Sequence, residues 1–275
     1  GETICDPACG TGGFLLSVHD YLANHYDLDR DEKHHLRFDA LRGVELVDGV
    51  TRLCAMNLYL HGIGPYDDDT DPPVKTDDAL RNEPSTHFDV VVTNPPFGKK
   101  SSITVVSEEG DTTKRAISYT RPDFWTTTSN KQLNFVQHVK SSLKINGRAA
   151  VVVPDNVLFE GGAGEKVRSK LMHECDLHTV LRLPTGIFYA QGVKANVLFF
   201  DNRTAGKGVA STRISTGGRI ARVSLLPANK RAAPKQTRMK DTWMRSMALT
   251  KWPHRNRQTP GTRNSIADRG SPAPW

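Results

Sequence analysis

The sequence predicts an α/β fold in which helices cover both faces of a mainly parallel sheet. Over the first two hundred residues, short β-branched runs alternate with longer amphipathic stretches, as in strands joined by crossover helices. Five of the six residues of Phe88–Thr93 are apolar or β-branched, which is typical of a central strand buried on both faces. A glycine-rich turn separates the first expected strand from the first expected helix, as in nucleotide-binding α/β proteins.

The predicted elements follow one another along this part of the chain. Strands are expected from β-branched and apolar runs, the first ending at Cys5 and the others over Gly43–Leu46, Val74–Thr76, Phe88–Thr93, Arg148–Val153, Thr179–Leu183 and Ala195–Phe200. Helices are expected where apolar residues recur at helical spacing, first through Phe14, Leu15, Val18, Tyr21 and Leu22, then over Val47–His61, Gln132–Leu143 and Glu165–Cys175. Gly62 ends the second of these helices.

Two stretches lack such patterning. Lys99–Asn130 is polar and shows no period, which predicts a long loop or lid beside Asn94. Residues 203–275 hold 16 Lys and Arg against 2 Asp and Glu, whereas residues 1–202 hold 21 against 28. We therefore divide the chain into a folded domain, 1–202, and a basic tail, 203–275. We interpret the tail as disordered or, the hypothesis we favour, as translated out of its natural frame, with a basic arm for DNA as the alternative.

Composition excludes several classes of protein and site. The net charge of +7 rests on the tail, so the isoelectric point does not predict nucleic-acid binding by the folded domain. No apolar run approaches a membrane span and the N-terminus lacks signal-peptide features, so we expect a cytoplasmic protein without a membrane partner. The cysteines form no CxxC pair and the histidines no HExxH pattern, so we expect no metal site.

The turn Asp6–Gly13 reads DPACGTGG and lies between the first expected strand and helix. Glycines let the backbone approach a ligand closely, and a helix N-terminus offers unpaired N–H groups. The turn therefore predicts a nucleotide-type pocket, although a tight turn without a ligand and a dehydrogenase site have similar patterns. It lacks the Gly-Lys-Ser/Thr ending of the P-loop NTPases, which excludes that class.

Acidic residues follow the next two expected strands. Glu45 lies near the end of the second strand, where an acidic side chain in this fold accepts hydrogen bonds from ribose hydroxyls. It lies 32 residues beyond Gly13, farther than the spacing of about 20 in dinucleotide folds, so a solvated strand-end glutamate is the alternative. Asp78 follows the third strand, where it can reach an adenine ring or simply cap a helix.

Asn94-Pro95-Pro96-Phe97 directly follows the central strand and is the most diagnostic motif. The prolines fix the backbone and set Asn94 at the carboxyl end of the strand, where open α/β sheets bind ligands. The side-chain carbonyl of Asn94 and the backbone carbonyl of Pro95 are suitable acceptors for the two hydrogens of an exocyclic amine. Accepting them stabilises the positive charge that develops on nitrogen during methyl transfer. Phe97 offers a stacking face for a base swung out of the duplex, and a structural turn is the alternative.

Seven segments together resemble a known family. They are DPACGTGGFL, NLYLHGI, DDAL, FDVVVTNPPFG, NFVQHV, GRAAVVVPDNVLFEGG and LPTGIFYAQGVKANVLFF, spread over residues 2–201. In this combination the chain resembles the modification subunit of type I restriction-modification systems, an N6-adenine DNA methyltransferase. The resemblance implies the Rossmann-like fold of S-adenosylmethionine-dependent methyltransferases, with a mainly parallel seven-stranded sheet whose last strand, Ala195–Phe200, is antiparallel.

The resemblance also implies the site, the cofactor and the partners. S-adenosylmethionine would be held by Asp6, Ala8, Gly10, Gly12 and Glu45, with Asp78 at its adenine, and the predicted cofactor site also includes the neighbours Pro7, Thr11, Gly13, Phe14 and Ala79. The catalytic tetrad would be Asn94, Pro95, Pro96 and Phe97. Expected partners are double-stranded DNA with a flipped adenine and the specificity and restriction subunits of a type I complex, in which the specificity subunit recognises the DNA sequence.

The chain departs from the family pattern at both ends. Members carry a helical N-terminal domain and a segment before the first strand that helps to close the cofactor pocket, whereas this chain starts at Gly1. Their C-terminal helical region is replaced by the basic tail. We expect both differences to reduce activity in isolation. The alternatives are a protein-glutamine methyltransferase, which can use an Asn-Pro-Pro-aromatic tetrad, and a non-catalytic fragment that only binds.

Overall fold

The computed structural model describes residues 1–64, 71–98, 102–106, 112–116, 118–184, 194–203, 211–216 and 219–224. Contacts divide the chain into two compact units, Gly1–Thr237 and Arg238–Trp275, and the second lies wholly outside the described residues. The helices are α1 (Gly13–His25), α2 (Arg30–Phe38), α3 (Asp48–Leu60), α4 (Lys131–Ser142), α5 (Asp155–Phe159) and α6 (Ala163–Glu174). The strands are β1 (Ile4–Asp6), β2 (Leu41–Glu45), β3 (Val74–Thr76), β4 (Phe88–Thr93), β5 (Ser102–Val106), β6 (Thr112–Ala116), β7 (Leu143–Pro154), β8 (Asp176–Arg182), β9 (Ala195–Asp201), β10 (Ser211–Thr216) and β11 (Arg219–Ser224).

Nine of these strands form one sheet in the order β11-β10-β8-β9-β7-β4-β1-β2-β3. From β3 to β7 all neighbouring strands are parallel. β9 lies between β7 and β8 and is antiparallel to both. The seven strands from β8 to β3 therefore confirm the predicted α/β class and the mainly parallel sheet with its antiparallel last strand.

β10 and β11 extend the sheet beyond the predicted seven strands, within the stretch predicted as a tail. They form an antiparallel pair, and β10 is parallel to β8. A sheet edge presents unpaired backbone N–H and C=O groups, so strands can add to it without an apolar period in their sequence. The domain boundary at residue 202 and the hypothesis of a shifted frame stay predictions.

The stretch Lys99–Asn130 also differs from the long loop that its composition predicts. It contains β5 and β6, which pair with each other in a separate two-stranded antiparallel sheet. β5 reads SITVV, in which four of the five residues are β-branched, a composition typical of strands. The run is short and β6 reads TTKRA, so the polar composition of the whole stretch obscures the pair.

Apolar residues at alternate strand positions fill both faces of the sheet. Ala149, Val151 and Val153 of β7 pack in one core with residues of α4, α5 and α6. Ala150 and Val152 point to the opposite face and are buried as well. On the other half of the sheet, α1 and α3 contact β1, β2 and β3. Both faces are covered, which explains the continuous apolar run in β7.

The parallel strands bring the predicted motifs to one edge of the sheet. β1 lies between β2 and β4, with Ile4 in register with Leu41 on one side and Val90 on the other. Asp6 ends β1, Glu45 ends β2 and Asn94 follows β4. Since the carboxyl ends of parallel strands share an edge, the glycine-rich turn and the Asn-Pro-Pro-Phe tetrad follow adjacent strands.

Candidate active site

The glycine-rich turn is held by its own backbone and by β2. Asp6 is buried, and its carboxyl group accepts the N–H of Ala8 at 3.0 Å. The N–H of Cys9 donates to the carbonyl of Val44 at 3.0 Å, and the N–H of Gly12 donates to the carbonyl of Cys9 at 2.9 Å. These bonds close the turn between β1 and α1.

Two glycines of the turn adopt left-handed backbone conformations, with φ of 54° at Gly10 and 84° at Gly12. A Cβ at Gly12 would lie 2.9 Å from the Sγ of Cys54, so this glycine allows α1 to lie close to α3. A Cβ at Gly10 or Gly13 would meet no atom within 4 Å. No described side chain caps α1 at Gly12, which leaves N–H groups of its first turn next to this open surface.

Glu45 joins the end of β2 to the glycine-rich turn. One carboxylate oxygen accepts the N–H of Gly10 at 3.1 Å, and the other accepts the N–H of Val47 at 3.0 Å. Asn57 of α3 adds a second connection, because its side-chain amide donates to the carbonyl of Thr11 at 3.0 Å. Glu45 is therefore bound to the turn rather than solvated at a strand end.

Asp78 is half-buried in the turn that follows β3. One of its carboxylate oxygens accepts the N–H of Leu80 at 3.0 Å, and the other accepts the hydroxyl of Tyr119 at 3.0 Å. The preceding residue, Asp77, donates its N–H to the carbonyl of Glu45 at 3.0 Å. This turn is thus tied to β2, as the glycine-rich turn is.

An apolar cluster connects the two turns. Leu80, Phe124 and Phe135 form its buried part. The partly buried residues packed against it are Ala8, Ala79 and Tyr119. Ala8 belongs to the glycine-rich turn and Ala79 to the Asp78 turn, so predicted cofactor residues of both turns pack against the same apolar cluster. Of the other predicted cofactor residues, Pro7 is buried, Phe14 half-buried and Thr11 exposed.

The Asn94–Phe97 tetrad is fixed by α4. The buried side chain of Gln132 donates from its amide nitrogen to the carbonyl of Pro96 at 3.2 Å and to that of Gly98 at 2.8 Å. Pro95 is buried, whereas Phe97 is 37% exposed. The side-chain oxygen of Asn94 is buried and accepts no hydrogen bond within the described part of the chain. A buried acceptor without a donor costs free energy, and this oxygen is free to accept a hydrogen bond.

Burial sets the protonation of Asp6. It raises the pKa of the carboxyl group from 3.8 to about 7, and the hydrogen bond from the N–H of Ala8 opposes the rise. At neutral pH the carboxyl group is therefore close to half-ionised. A ligand that donates hydrogen bonds or carries positive charge next to Asp6 would favour the ionised form.

Other polar candidates have structural roles. Asp155, the first residue of α5, accepts a hydrogen bond from Arg182 at 2.8 Å and one from Asn196 at 2.7 Å. His138 is buried and its pKa falls to about 3, chiefly because of burial. The four cysteines are free and buried.

Across the described ranges, no cluster of three acidic, His or Cys side chains could hold a metal ion. No helix in these ranges has the length and apolarity to cross a membrane.

Three residues of this site have no clear signal in the sequence. Asn57 lies on an amphipathic helix, Gln132 near a helix start and Tyr119 in a polar stretch. Each acts through a backbone carbonyl or a carboxylate that is distant in the sequence, and only the fold brings these groups together. The side chain of Asn130 caps α4 by accepting the N–H of Gln132 at 3.0 Å, a local signal for the position of Gln132 but not for its contact.

Comparison with known sequences shows the family. The sequence profile described as N-6 DNA Methylase matches residues 1–244. The chain belongs to the N-6 DNA methylase family. One curated relative is the type I restriction enzyme EcoKI methylase subunit of Escherichia coli (strain K12), which is 44% identical to this chain over 211 residues. The alignment covers 74% of this chain and 36% of that relative.

Solved structures agree with the family assignment. The crystal structure of the EcoKI M protein has 44% identity to this chain and a TM-score of 0.62, and the match covers 74% of this chain and 40% of that one. A modification subunit from Vibrio vulnificus YJ016 has 26% identity and a TM-score of 0.63, and the match covers 93% of this chain and 49% of that one. The chain thus spans less than half the length of the relatives it matches.

Proposed function

We propose that the chain carries the catalytic site of a DNA methyltransferase that transfers a methyl group from S-adenosylmethionine to N6 of adenine. The observation that carries the proposal is the buried side-chain oxygen of Asn94, which lacks a hydrogen-bond donor among the described residues. It lies directly after β4, and β4 is adjacent to β1, the strand that leads into the glycine-rich turn. The family and the methylase subunits among the relatives support the reaction class.

The residues around the glycine-rich turn fit S-adenosylmethionine. The open surface over Gly10 and Gly13 admits a ligand to the backbone. Glu45 retains acceptor capacity for the ribose hydroxyls, since each of its oxygens receives one hydrogen bond. Asp78 and the apolar surface beside Ala79 would hold the adenine. When bound, S-adenosylmethionine supplies the activated methyl group.

The tetrad would hold the target amine. The side-chain oxygen of Asn94 and the carbonyl oxygen of Pro95 accept the two hydrogens of the adenine amine, which orients its nitrogen and stabilises the positive charge that develops there. Gln132 keeps the backbone fixed by binding the carbonyls of Pro96 and Gly98. Phe97 is exposed enough to stack on a base that has left the duplex.

The whole protein would act as the modification subunit of a type I restriction-modification system, in the cytoplasm where its DNA is. Its partners would be double-stranded DNA and the specificity and restriction subunits. The support is the printed description of the relatives as type I methylase subunits.

Two measurements on the full chain test the proposal. Calorimetry should detect S-adenosylmethionine binding. Transfer of a labelled methyl group is then compared between adenine-containing DNA, with a specificity subunit supplied, and a glutamine-containing peptide. Methylation of DNA alone is expected. Methylation of the peptide alone would replace the proposal by the protein-glutamine alternative, and a folded chain that binds no S-adenosylmethionine would leave only a non-catalytic fragment.

A further inference from the structure

The segment from Tyr119 to Phe124 packs against the turn that carries Asp78. The hydroxyl of Tyr119 donates to one carboxylate oxygen of Asp78 at 3.0 Å, while the N–H of Leu80 donates to the other at 3.0 Å. Each oxygen therefore has one donor, and the plane of the carboxylate is fixed from two sides. Each oxygen also keeps a lone pair for a further donor.

Arg121 ties the same segment to the backbone just after Asp78. Its buried guanidinium donates to the carbonyls of Ala79 and Leu80 at 3.4 Å each. It also donates to the Nδ1 of His138 at 3.1 Å. His138 can accept this bond because its pKa of about 3 keeps the ring neutral.

Arg121 is itself fixed by its neighbours. Both oxygens of Asp123 accept hydrogen bonds from its guanidinium, one from Nε at 2.9 Å and one from a terminal nitrogen at 2.5 Å. The guanidinium carbon lies 4.1 Å from the centre of the Phe124 ring. A planar group held by a carboxylate on one edge and by a ring on one face has little freedom to turn. Arg121 therefore holds the backbone of the Asp78 turn in one position.

We propose that Tyr119 and Arg121 are positioning residues that orient Asp78 toward the adenine amine of the cofactor and so determine recognition of adenine. The inference rests on the proposed function. Tyr119 acts on the carboxylate directly, whereas Arg121 acts on the backbone that carries it. Tyr119 also packs against the apolar cluster, as Ala8 and Ala79 do. The residue that orients the Asp78 carboxylate therefore also contacts this cluster.

The test compares S-adenosylhomocysteine with its purine analogue, which carries a hydrogen in place of the adenine amine and leaves the ring nitrogen N1 an acceptor. Calorimetry on the full chain gives the ratio of the two dissociation constants. Tyr119→Phe removes the hydrogen bond that orients the Asp78 carboxylate toward the adenine amine. Because a hydrogen bond from that amine to a charged carboxylate contributes about a factor of ten in affinity, the variant should reduce the preference for adenine about tenfold. Tyr59→Phe, at an exposed site on α3, should leave the ratio unchanged.

A double-mutant cycle links the effect to Asp78. Once Asp78→Asn has removed the charged acceptor, Tyr119→Phe should change the ratio little further. Arg121→Lys keeps the charge but loses the two-pronged geometry, and it should also lower the preference for adenine.

Three results would count against these ideas in different ways. Equal weakening of both ligands in Tyr119→Phe would show a merely structural role and overturn the inference. An unchanged ratio would overturn it as well. A folded wild-type chain that binds neither ligand would instead overturn the cofactor assignment, and the inference with it.

Discussion

A carboxylate oxygen of Glu45 accepts the backbone N–H of Gly10 at 3.1 Å. The end of β2 is thereby joined to the centre of the glycine-rich turn, two elements that are 35 residues apart in the sequence. Because the N–H belongs to a glycine with a positive φ, the bond also favours the conformation that keeps the turn open. Glu45 thus has two functions in the proposal, as a support of the turn and as a ribose acceptor.

Replacement of Glu45 by Gln tests the contribution of its carboxylate to cofactor binding without changing the size of the side chain. Gln has the same size but no charge, and only one acceptor oxygen for the two N–H groups of Gly10 and Val47. We expect affinity for S-adenosylmethionine to fall about tenfold, with kcat little changed. Calorimetry and initial rates give both quantities. Glu165→Gln, at an exposed site on α6, is the control, and an unaltered affinity in Glu45→Gln would remove Glu45 from the cofactor site.

Asn94→Ala should strongly reduce kcat for methyl transfer while affinity for S-adenosylmethionine stays unchanged. Removal of one preorganised polar group that stabilises transition-state charge costs about 10² to 10³ in kcat. Since the lost oxygen has no donor among the described residues, the melting temperature should not fall. Transfer assays on DNA and thermal melting measure the two effects, with Asn24→Ala on the exposed part of α1 as the control. If Asn94→Ala instead weakened cofactor binding, Asn94 would contact the cofactor, and its assignment to the target amine would be wrong.

Gly12→Ala should destabilise the fold. The substitution places a Cβ 2.9 Å from the Sγ of Cys54 and forces an L-residue to hold a φ of 84°. The left-handed conformation alone costs about 1 to 2 kcal/mol, so we expect a loss of about 2 kcal/mol or more in the free energy of unfolding. Urea denaturation measures it. Gly49→Ala, where the added carbon meets no atom within 4 Å, should not destabilise the fold.

Gly13→Ala should have the opposite combination of effects. The added Cβ meets no atom of the protein within 4 Å, and alanine favours the helix that begins there. We expect stability to be equal or higher. If a ligand lies against the backbone at this point, the methyl group occupies its space, and affinity for S-adenosylmethionine should fall at least about tenfold. Unchanged affinity would show that the open surface is not the cofactor site.

The raised pKa of Asp6 predicts how stability depends on pH. Below about pH 4 the carboxyl group is protonated in both the folded and the unfolded chain. Between about pH 4 and about pH 7 the Asp6 carboxyl group ionises only in the unfolded chain. The free energy of unfolding therefore decreases as pH rises, by about 4 kcal/mol in total. Above about pH 7 both states are ionised, and the loss is constant.

Asp6→Asn isolates this contribution. The amide keeps an oxygen for the N–H of Ala8 but does not titrate. Denaturant unfolding at several pH values should show a stability advantage of the variant that grows between about pH 4 and about pH 7. Asp20→Asn, at an exposed position, provides the comparison. A constant difference between Asp6→Asn and the wild type would mean that the Asp6 carboxyl group is ionised throughout this range.

The predictable parts of the structure are those with a local physical signal. β4 has the predicted bounds, Phe88–Thr93, because a strand buried on both faces must be apolar throughout. β7 begins at Leu143, earlier than the predicted Arg148, because Leu143 pairs with Phe88 across an irregular register. Pairing of this kind depends on the partner strand and leaves no periodicity in the sequence.

α2 lies in a segment for which the sequence suggests no helix. It is polar, and Leu36 is its buried residue, so it lacks an apolar stripe. Its signal is a capping box, in which Asp29 and Glu32 each accept the backbone N–H of the other.

The order of the strands has a consequence for synthesis of the chain. β7 contains the run Ala149–Val153, which is buried, and one of its two edges is covered by β9 in an antiparallel ladder from Arg148 to Pro154. Strands β1, β2, β3 and β4, which carry the candidate site, precede β7, but β9 ends at Asp201. During translation the strands of the candidate site can therefore assemble before β9 is made, and one edge of β7 then remains unpaired. Exposed edges of this kind pair with other chains. Ribosome-bound chains that end before β9 should therefore be the species most prone to aggregate.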